Sequence, residues 1–270
     1  MLIDTHCHLD ATEFDVDRAA VIARATAAGV AAVVIPAVER AAFSRVRALA
    51  ASFEGGAYAL GIHPLCVEQA VEDDLEALHA AIVDALADPR FVGVGEIGLD
   101  HFVPGLDRAK QRRFFEAQLR LARRFDLPVI LHVRRAQDPI LGLLRRFTVR
   151  GGIAHAFNGS AQQAQAYAEL GFALGIGGVM TDARALRIRA LASTQSLENL
   201  VLETDAPDLA PIWCRGERNE PAQLPPIAAS LASLRGCTVS EVVRGTGTTA
   251  LRVLPRLAGM LQPSIPCGES

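Results

Sequence analysis

Lysine is almost absent from this chain: of its 27 basic residues only Lys110 is a lysine. The five cysteines (Cys7, Cys66, Cys214, Cys237 and Cys267) are odd in number and contain no C-x-x-C pair. A fully paired disulfide framework is thereby excluded, and reduced thiols in a cytoplasmic protein are expected. No basic segment precedes an apolar one at the N-terminus, and no apolar run is long enough to cross a bilayer, so no membrane association is expected. A strong charge of one sign is also missing. The formal net charge of −3 argues against a broad, nonspecific grip on nucleic acid, which depends on neutralising phosphates.

What the chain does have is 270 residues, half of them apolar, enough for one large α/β domain or two small ones. Its charge is segregated. Residues 51–100 hold ten Asp and Glu against one Arg, whereas residues 101–150 hold twelve Lys and Arg against four acids. The basic stretch could face a polyanion. It could equally be a solvated helix surface, because Arg120, Arg123 and Arg124 are spaced for one helix side.

Short apolar runs recur at 1–8, 31–38, 58–64, 91–100, 128–133, 151–157, 172–178 and 200–207. Helix-like stretches follow each run; in 114–125, for example, Phe114, Phe115, Leu119, Leu121 and Ala122 recur near a 3.6 period. Eight βα units predict an α/β fold, a closed (β/α)8 TIM barrel forming a single domain over 1–262. A doubly wound open sheet is the alternative. Residues 263–270 read as a frayed tail. The Pro-rich segment 206–225 is too long for a plain βα turn and is expected to carry function.

In such a barrel the C-terminal strand ends surround the active site. His6 and His8 end the first run and, two apart, share a face, with Cys7 turned toward the helices. His63 ends the third run, Glu96 and Asp100 the fourth, His132 the fifth, His155 the sixth and Asp205 the eighth. Each alone has a structural explanation, such as a helix-capping Asp205. Gathered on one rim, imidazoles and carboxylates are what divalent cations bind. Four imidazoles (His6, His8, His132, His155) and two carboxylates (Glu96, Asp205) exceed one tetrahedral site, so two ions are expected. Lys110 sits in a helix where it cannot reach the rim centre, so a carboxylate must bridge them, and Glu96 is the candidate.

The motifs DTHCH (4–8), GIHP (61–64), GEIGLD (95–100), LPVILH (127–132), HAFNGS (155–160), ETDAP (203–207) and RNEP (218–221) occur in that order. This ordered set resembles the TatD family of metal-dependent deoxyribonucleases within the amidohydrolase superfamily. HVRRAQD and GIGGVMTDARA look closest to its YjjV-like branch. The resemblance implies one metal at His6, His8, Glu96 and Asp205, and a second at Glu96, His132 and His155. It also implies that His63 meets a substrate phosphate or a water, with Arg134 as a further substrate contact. Val133 and Arg135 stand where many members have Ser and Asp, Gln223 replaces a common aromatic and Thr249 a common Asn, so the departures bear on substrate preference.

The mechanism expected from this set is hydrolysis by water activated between two divalent ions (zinc, manganese or magnesium), with Asp205 accepting its proton. Glu203 is expected to point outward. Arg215, Arg218 and Asn219 could grip phosphate; alternatively the loop only covers the barrel, with Arg218 paired to Glu217 or Glu220. The expected substrate is DNA or another phosphodiester, cut from a 3′ end. A small ester or a D-aminoacyl-tRNA, and a noncatalytic nucleic-acid-binding module, are the other readings. No obligate protein partner is evident, and a monomer is expected.

Overall fold

A computed structural model describes residues 1–261; the expected tail at 263–270 lies outside them. The eight strands are β1 (Leu2–Asp4), β2 (Val30–Pro36), β3 (Gly56–Leu60), β4 (Phe91–Asp100), β5 (Val129–Arg134), β6 (Gly152–Ala154), β7 (Phe172–Ile176) and β8 (Leu200–Leu202). They pair in parallel in chain order. The helices between them are α1 (Arg18–Ala27), α2 (Phe43–Ala51), α3 (Glu72–Ala85), α4 (Arg108–Arg124), α5 (Gln137–Arg146), α6 (Ala161–Glu169) and α7 (Leu186–Thr194). After β8 come α8 (Leu224–Arg235), α9 (Val239–Val253) and α10 (Pro255–Leu261). The architecture is the expected TIM barrel.

The ring closes through backbone and side-chain bonds between the ends of β1 and β8. Thr5 N donates to Leu202 O (3.1 Å) and Asp205 N to His6 O (2.9 Å). The buried Asp4 carboxylate accepts from the Thr204 hydroxyl (2.6 Å) and amide (2.9 Å). Regular pairing stops earlier than the apolar runs suggested: β1 ends at Asp4, β3 at Leu60 and β8 at Leu202. The chain beyond those points still follows its neighbours, but each backbone bends to place a polar side chain over the ring.

Alternation divides the core in two. One side chain or more from every strand, among them Ile3, Val34, Val92, Ile130, Ile153 and Val201, packs in the barrel interior with Ala250, Val253, Leu254 and Leu257 of α9 and α10. The other faces pack against the surrounding helices in a larger cluster. The last two helices therefore floor the barrel, a feature the sequence reading missed. Arg256 fastens that floor, with Nε donating to Phe91 O (2.5 Å) and Nη2 to Leu86 O and Asp88 O (2.8 Å each).

The basic stretch is mostly a helix surface. Arg112 pairs with Glu116 (2.9 Å), Arg120 with Glu116 (3.5 Å) and Arg113 with Glu72 of the acidic α3 (2.9 Å). Only its Arg134 and Arg135 reach the cavity at the barrel top. No helix among the described residues is long and apolar enough to cross a membrane.

The floor is expected to carry stability without touching the rim. Leu257→Ala, at a fully buried position, should cost about 2–5 kcal/mol. A denaturant-unfolding midpoint measures the loss, and divalent-ion uptake by the folded variant should stay unchanged.

Candidate metal centre

On β5, β6 and β8 the inward stripe leads directly into the site. Two residues beyond Ile130 comes His132, two beyond Ile153 comes His155, and two beyond Val201 comes Glu203, then Asp205. His6 and His8 follow β1, where the register shifts, and Cys7 between them is buried against the helical side, as expected. His63 lies three residues past β3, its amide tied to Val38 O (2.8 Å).

Glu96 is the centre of the cluster, with 1% of its surface exposed. Its Oε2 lies 3.2 Å from His6 Nε2 and 3.4 Å from His8 Nε2. Its Oε1 lies 3.0 Å from His132 Nδ1, 3.4 Å from His155 Nε2 and 3.4 Å from His63 Nε2. Asp205 Oδ1 closes the first group at 3.6 Å from His6 Nε2 and 3.7 Å from His8 Nε2. His6 Nε2 and His8 Nε2 stand 3.3 Å apart.

Such spacing suits a cation better than a hydrogen-bond network. Donors at about 2.1 Å around a tetrahedral ion are about 3.4 Å from each other. Glu96 Oε2 is buried without a hydrogen-bond partner, a state costly for a carboxylate unless a cation meets it. His6, His8 and Glu96 form one group able to hold an ion, and His6, His155 and Asp205 another. A third combines His63, Glu96 and His132.

The hydrogen bonds of His132 and His63 differ. His132 Nε2 donates to Asp100 Oδ2 (3.1 Å), which leaves the Nδ1 lone pair facing Glu96, the arrangement that orients a metal-ligating histidine. His63 differs: its Nδ1 accepts from Leu65 N (3.1 Å), and burial lowers its basicity. Neutral His63 therefore carries its proton on Nε2, which faces His132 Nδ1 at 3.0 Å.

The charges follow from burial and crowding. Burial would raise Glu96, but the imidazoles of His63, His6 and His155 hold it well below the usual carboxylate range. Burial pushes His6 down and carries Asp205 up to about 6 against the pull of His155 and His8. At His155 burial is outweighed by Asp205 and Glu96, which bring the imidazole up to about 10. The cluster as a whole favours added positive charge.

Two expectations for the eighth strand and its loop are corrected. Glu203 does not point outward: it is buried, Oε1 accepts from Ala156 N (2.6 Å) and lies 3.6 Å from His155 Nδ1. Gly175 makes room, since a Cβ there would collide with this carboxylate. The parity that pairs His6 with His8 also pairs Glu203 with Asp205 and was the available signal.

The expected loop grip is not assembled either. Arg218 forks onto Asp17 (2.7 and 2.8 Å) over the Phe14 ring, not onto Glu217 or Glu220. Arg215 pairs with Asp182. Asn219 is buried, donating to Thr204 O and Asp208 O (2.8 Å each). None of the three lines the cavity, whereas Arg134, His63 and Asp205 do.

A closed parallel barrel whose rim gathers imidazoles and carboxylates around one buried glutamate defines the class of metal-site barrels. Within it the chain belongs to the TatD family: the family described as TatD related DNase matches residues 3–255. It is 40% identical to the uncharacterized metal-dependent hydrolase YjjV of Escherichia coli, over 90% of this chain and 93% of that one. The crystal structure of that TatD homologue superposes with a TM-score of 0.90, covering 94% of this chain and 98% of the other. The 3′-5′ ssDNA/RNA exonuclease TatD of Klebsiella pneumoniae is 34% identical, over 87% of this chain and 90% of its own.

If Arg218 is a strut for the loop and not a substrate contact, Arg218→Ala should accelerate limited proteolysis within 206–225 several-fold and slow all substrates alike. Arg218 and Arg24 hold the Asp17 carboxyl down at about 2. A depressed carboxylate stabilises the fold above its ordinary pKa of about 4 and loses that contribution as pH falls toward 2. The variant's excess proteolysis, measured with an acid-active protease, should therefore shrink over that interval.

Proposed function

We propose that this chain is a metal-dependent hydrolase that cleaves phosphodiesters at a DNA strand end, a TatD-type 3′–5′ deoxyribonuclease. The observation that carries the reading is the division of Glu96, with Oε2 turned to His6 and His8 and Oε1 to His132 and His155. A carboxylate so divided suits a bridge between two cations. His6, His8, Glu96 and Asp205 would hold one, and Glu96, His132 and His155 the other. Imidazole-rich sets favour zinc or manganese over magnesium. When bound, such ions lower the pKa of water and polarise an ester phosphoryl group.

The residues divide the remaining work. Asp205 keeps 14% of its side chain exposed to the cavity, against 1% for Glu96, so it can reach an attacking water. With Oδ1 turned to His6 and His8, its Oδ2 is left to take the proton. His63 Nε2–H lies 3.0 Å from His132 Nδ1 at the edge of the same cavity; with that Nδ1 given to a cation, it would be free to donate to a nonbridging phosphate oxygen. Asp100 holds His132 from behind, and Glu203 places a carboxylate 3.6 Å behind His155. The cavity of about 1060 Å³ accommodates more than one nucleotide, and the exonuclease name of the Klebsiella relative supports the phosphodiester substrate.

Elemental analysis of reconstituted protein should find about two divalent ions per chain; a limit of one would remove the bridging role from Glu96. Asp205→Asn should fold and retain much of the metal while kcat on single-stranded oligonucleotides falls about 10²–10⁴-fold. A near-normal kcat would take the base role from Asp205. Hydrolysis of small carboxylic esters or D-aminoacyl-tRNA in preference to oligonucleotides would overturn the nuclease reading.

A further inference from the structure

We infer that Arg134 and Arg135, both stacked on Phe102 at the cavity mouth, clamp a second substrate phosphate adjacent to the one that is cleaved. The inference rests on the phosphodiesterase reading and adds a requirement to it: the preferred substrate carries at least two phosphates.

Consecutive strand residues normally face opposite sides. Arg134 ends β5 on the inward parity of Ile130 and His132, so Arg135 should turn away. It does not, because its backbone adopts φ 53°, a left-handed conformation that is unfavourable for a nonglycine residue. That turn brings both arginines to the cavity. Their guanidinium carbons lie 3.9 Å (Arg134) and 4.6 Å (Arg135) from the Phe102 ring centre. Stacking fixes a guanidinium plane through its face and leaves the N–H donors at its edge free for phosphate.

Among the described residues neither side chain makes an ion pair or hydrogen bond, whereas Arg45, which also borders the cavity, is spent on Asp10 (2.9 Å). The clamp is also registered to the metal centre by one carboxylate. Asp100 Oδ2 accepts from His132 Nε2 (3.1 Å), while Asp100 Oδ1 accepts from Phe102 N (2.8 Å). The distance from cleaved bond to clamp is thus set by a single buried residue, which suits the fixed spacing of successive phosphates along a strand. Arg187, likewise without an ion pair among the described residues, borders the same cavity.

The test compares thymidine dinucleotide TpT with its 5′- and 3′-phosphorylated forms, pTpT and TpTp. One phosphorylated form should be hydrolysed with kcat/KM about ten- to a hundred-fold above TpT, chiefly through KM, as charge-assisted phosphate contacts allow. Arg134→Ala, Arg135→Ala and Phe102→Ala should each cut that advantage about ten-fold, and Arg120→Ala on the helix surface should leave it intact. In EDTA, where turnover stops, fluorescence anisotropy should show the same form binding more tightly than TpT, with a salt slope reduced by about one in Arg135→Ala. TpT cleaved as well as both phosphorylated forms, or an advantage that survives both arginine variants, overturns the clamp. Should none of the three be cleaved, the phosphodiesterase reading fails separately. The anisotropy then decides the clamp, and equal binding of TpT, pTpT and TpTp overturns it.

Discussion

Eight strands can enclose a core only if the first bonds to the last, and here that junction is held by a carboxylate removed from water. Asp4 is buried, and burial pushes its carboxyl up to about 7 even though the Thr204 hydroxyl and amide pull it down. Its oxygens also accept from His6 N (3.3 Å). A group this unfavourable to bury is tolerated when its lone pairs are satisfied. The satisfaction is local: every partner is one or two residues from a rim donor. The bonds that shut the barrel are therefore the bonds that aim His6 and Asp205, which follow its first and last strands.

The two ends of the barrel carry different kinds of burden. The lower end is apolar, closed by α9 and α10 and fastened by Arg256 to three carbonyls. The upper end concentrates the unfavourable groups: a glutamate without a hydrogen-bond partner on one oxygen, crowded imidazoles, and left-handed backbone at Arg135, Ala156 and Asp205. Strain and unpaired charge collect where the strands stop, and the packed interior beneath supplies the rigidity that keeps them there. Asp100 and Glu203 extend this arrangement outward: Asp100 bonds His132 and the Phe102 amide, and Glu203 bonds the Ala156 amide beside His155.

Much of this was written in the sequence because a barrel strand must be apolar until it reaches the rim. An apolar run that ends in His or an acid marks its own exit, which made His132, His155 and Asp205 legible. Strand lengths were less so: the runs through His8 and Asp205 continue past the last regular pair, since the chain can follow its neighbour while departing from strand geometry. The loop arginines misled because charge alone does not reveal a partner. Asp17, which claims Arg218, is some two hundred residues away, and only the folded chain brings them together. The floor was missed for a similar reason: Leu254 and Leu257 look like any helix stripe until the open end beneath them is known.

The seam between β1 and β8 also dictates an order of events during synthesis. His6 and His8 are made seven βα units before their partner Asp205 and the Thr204 that latches Asp4, and the floor of α9 and α10 follows later still. Until then the inner stripe of Ile3, Val34 and Val92 has neither far wall nor base. A partly made chain therefore cannot present the complete donor set, and the complete site and barrel closure arrive together, once β8 and the segment after it have been made.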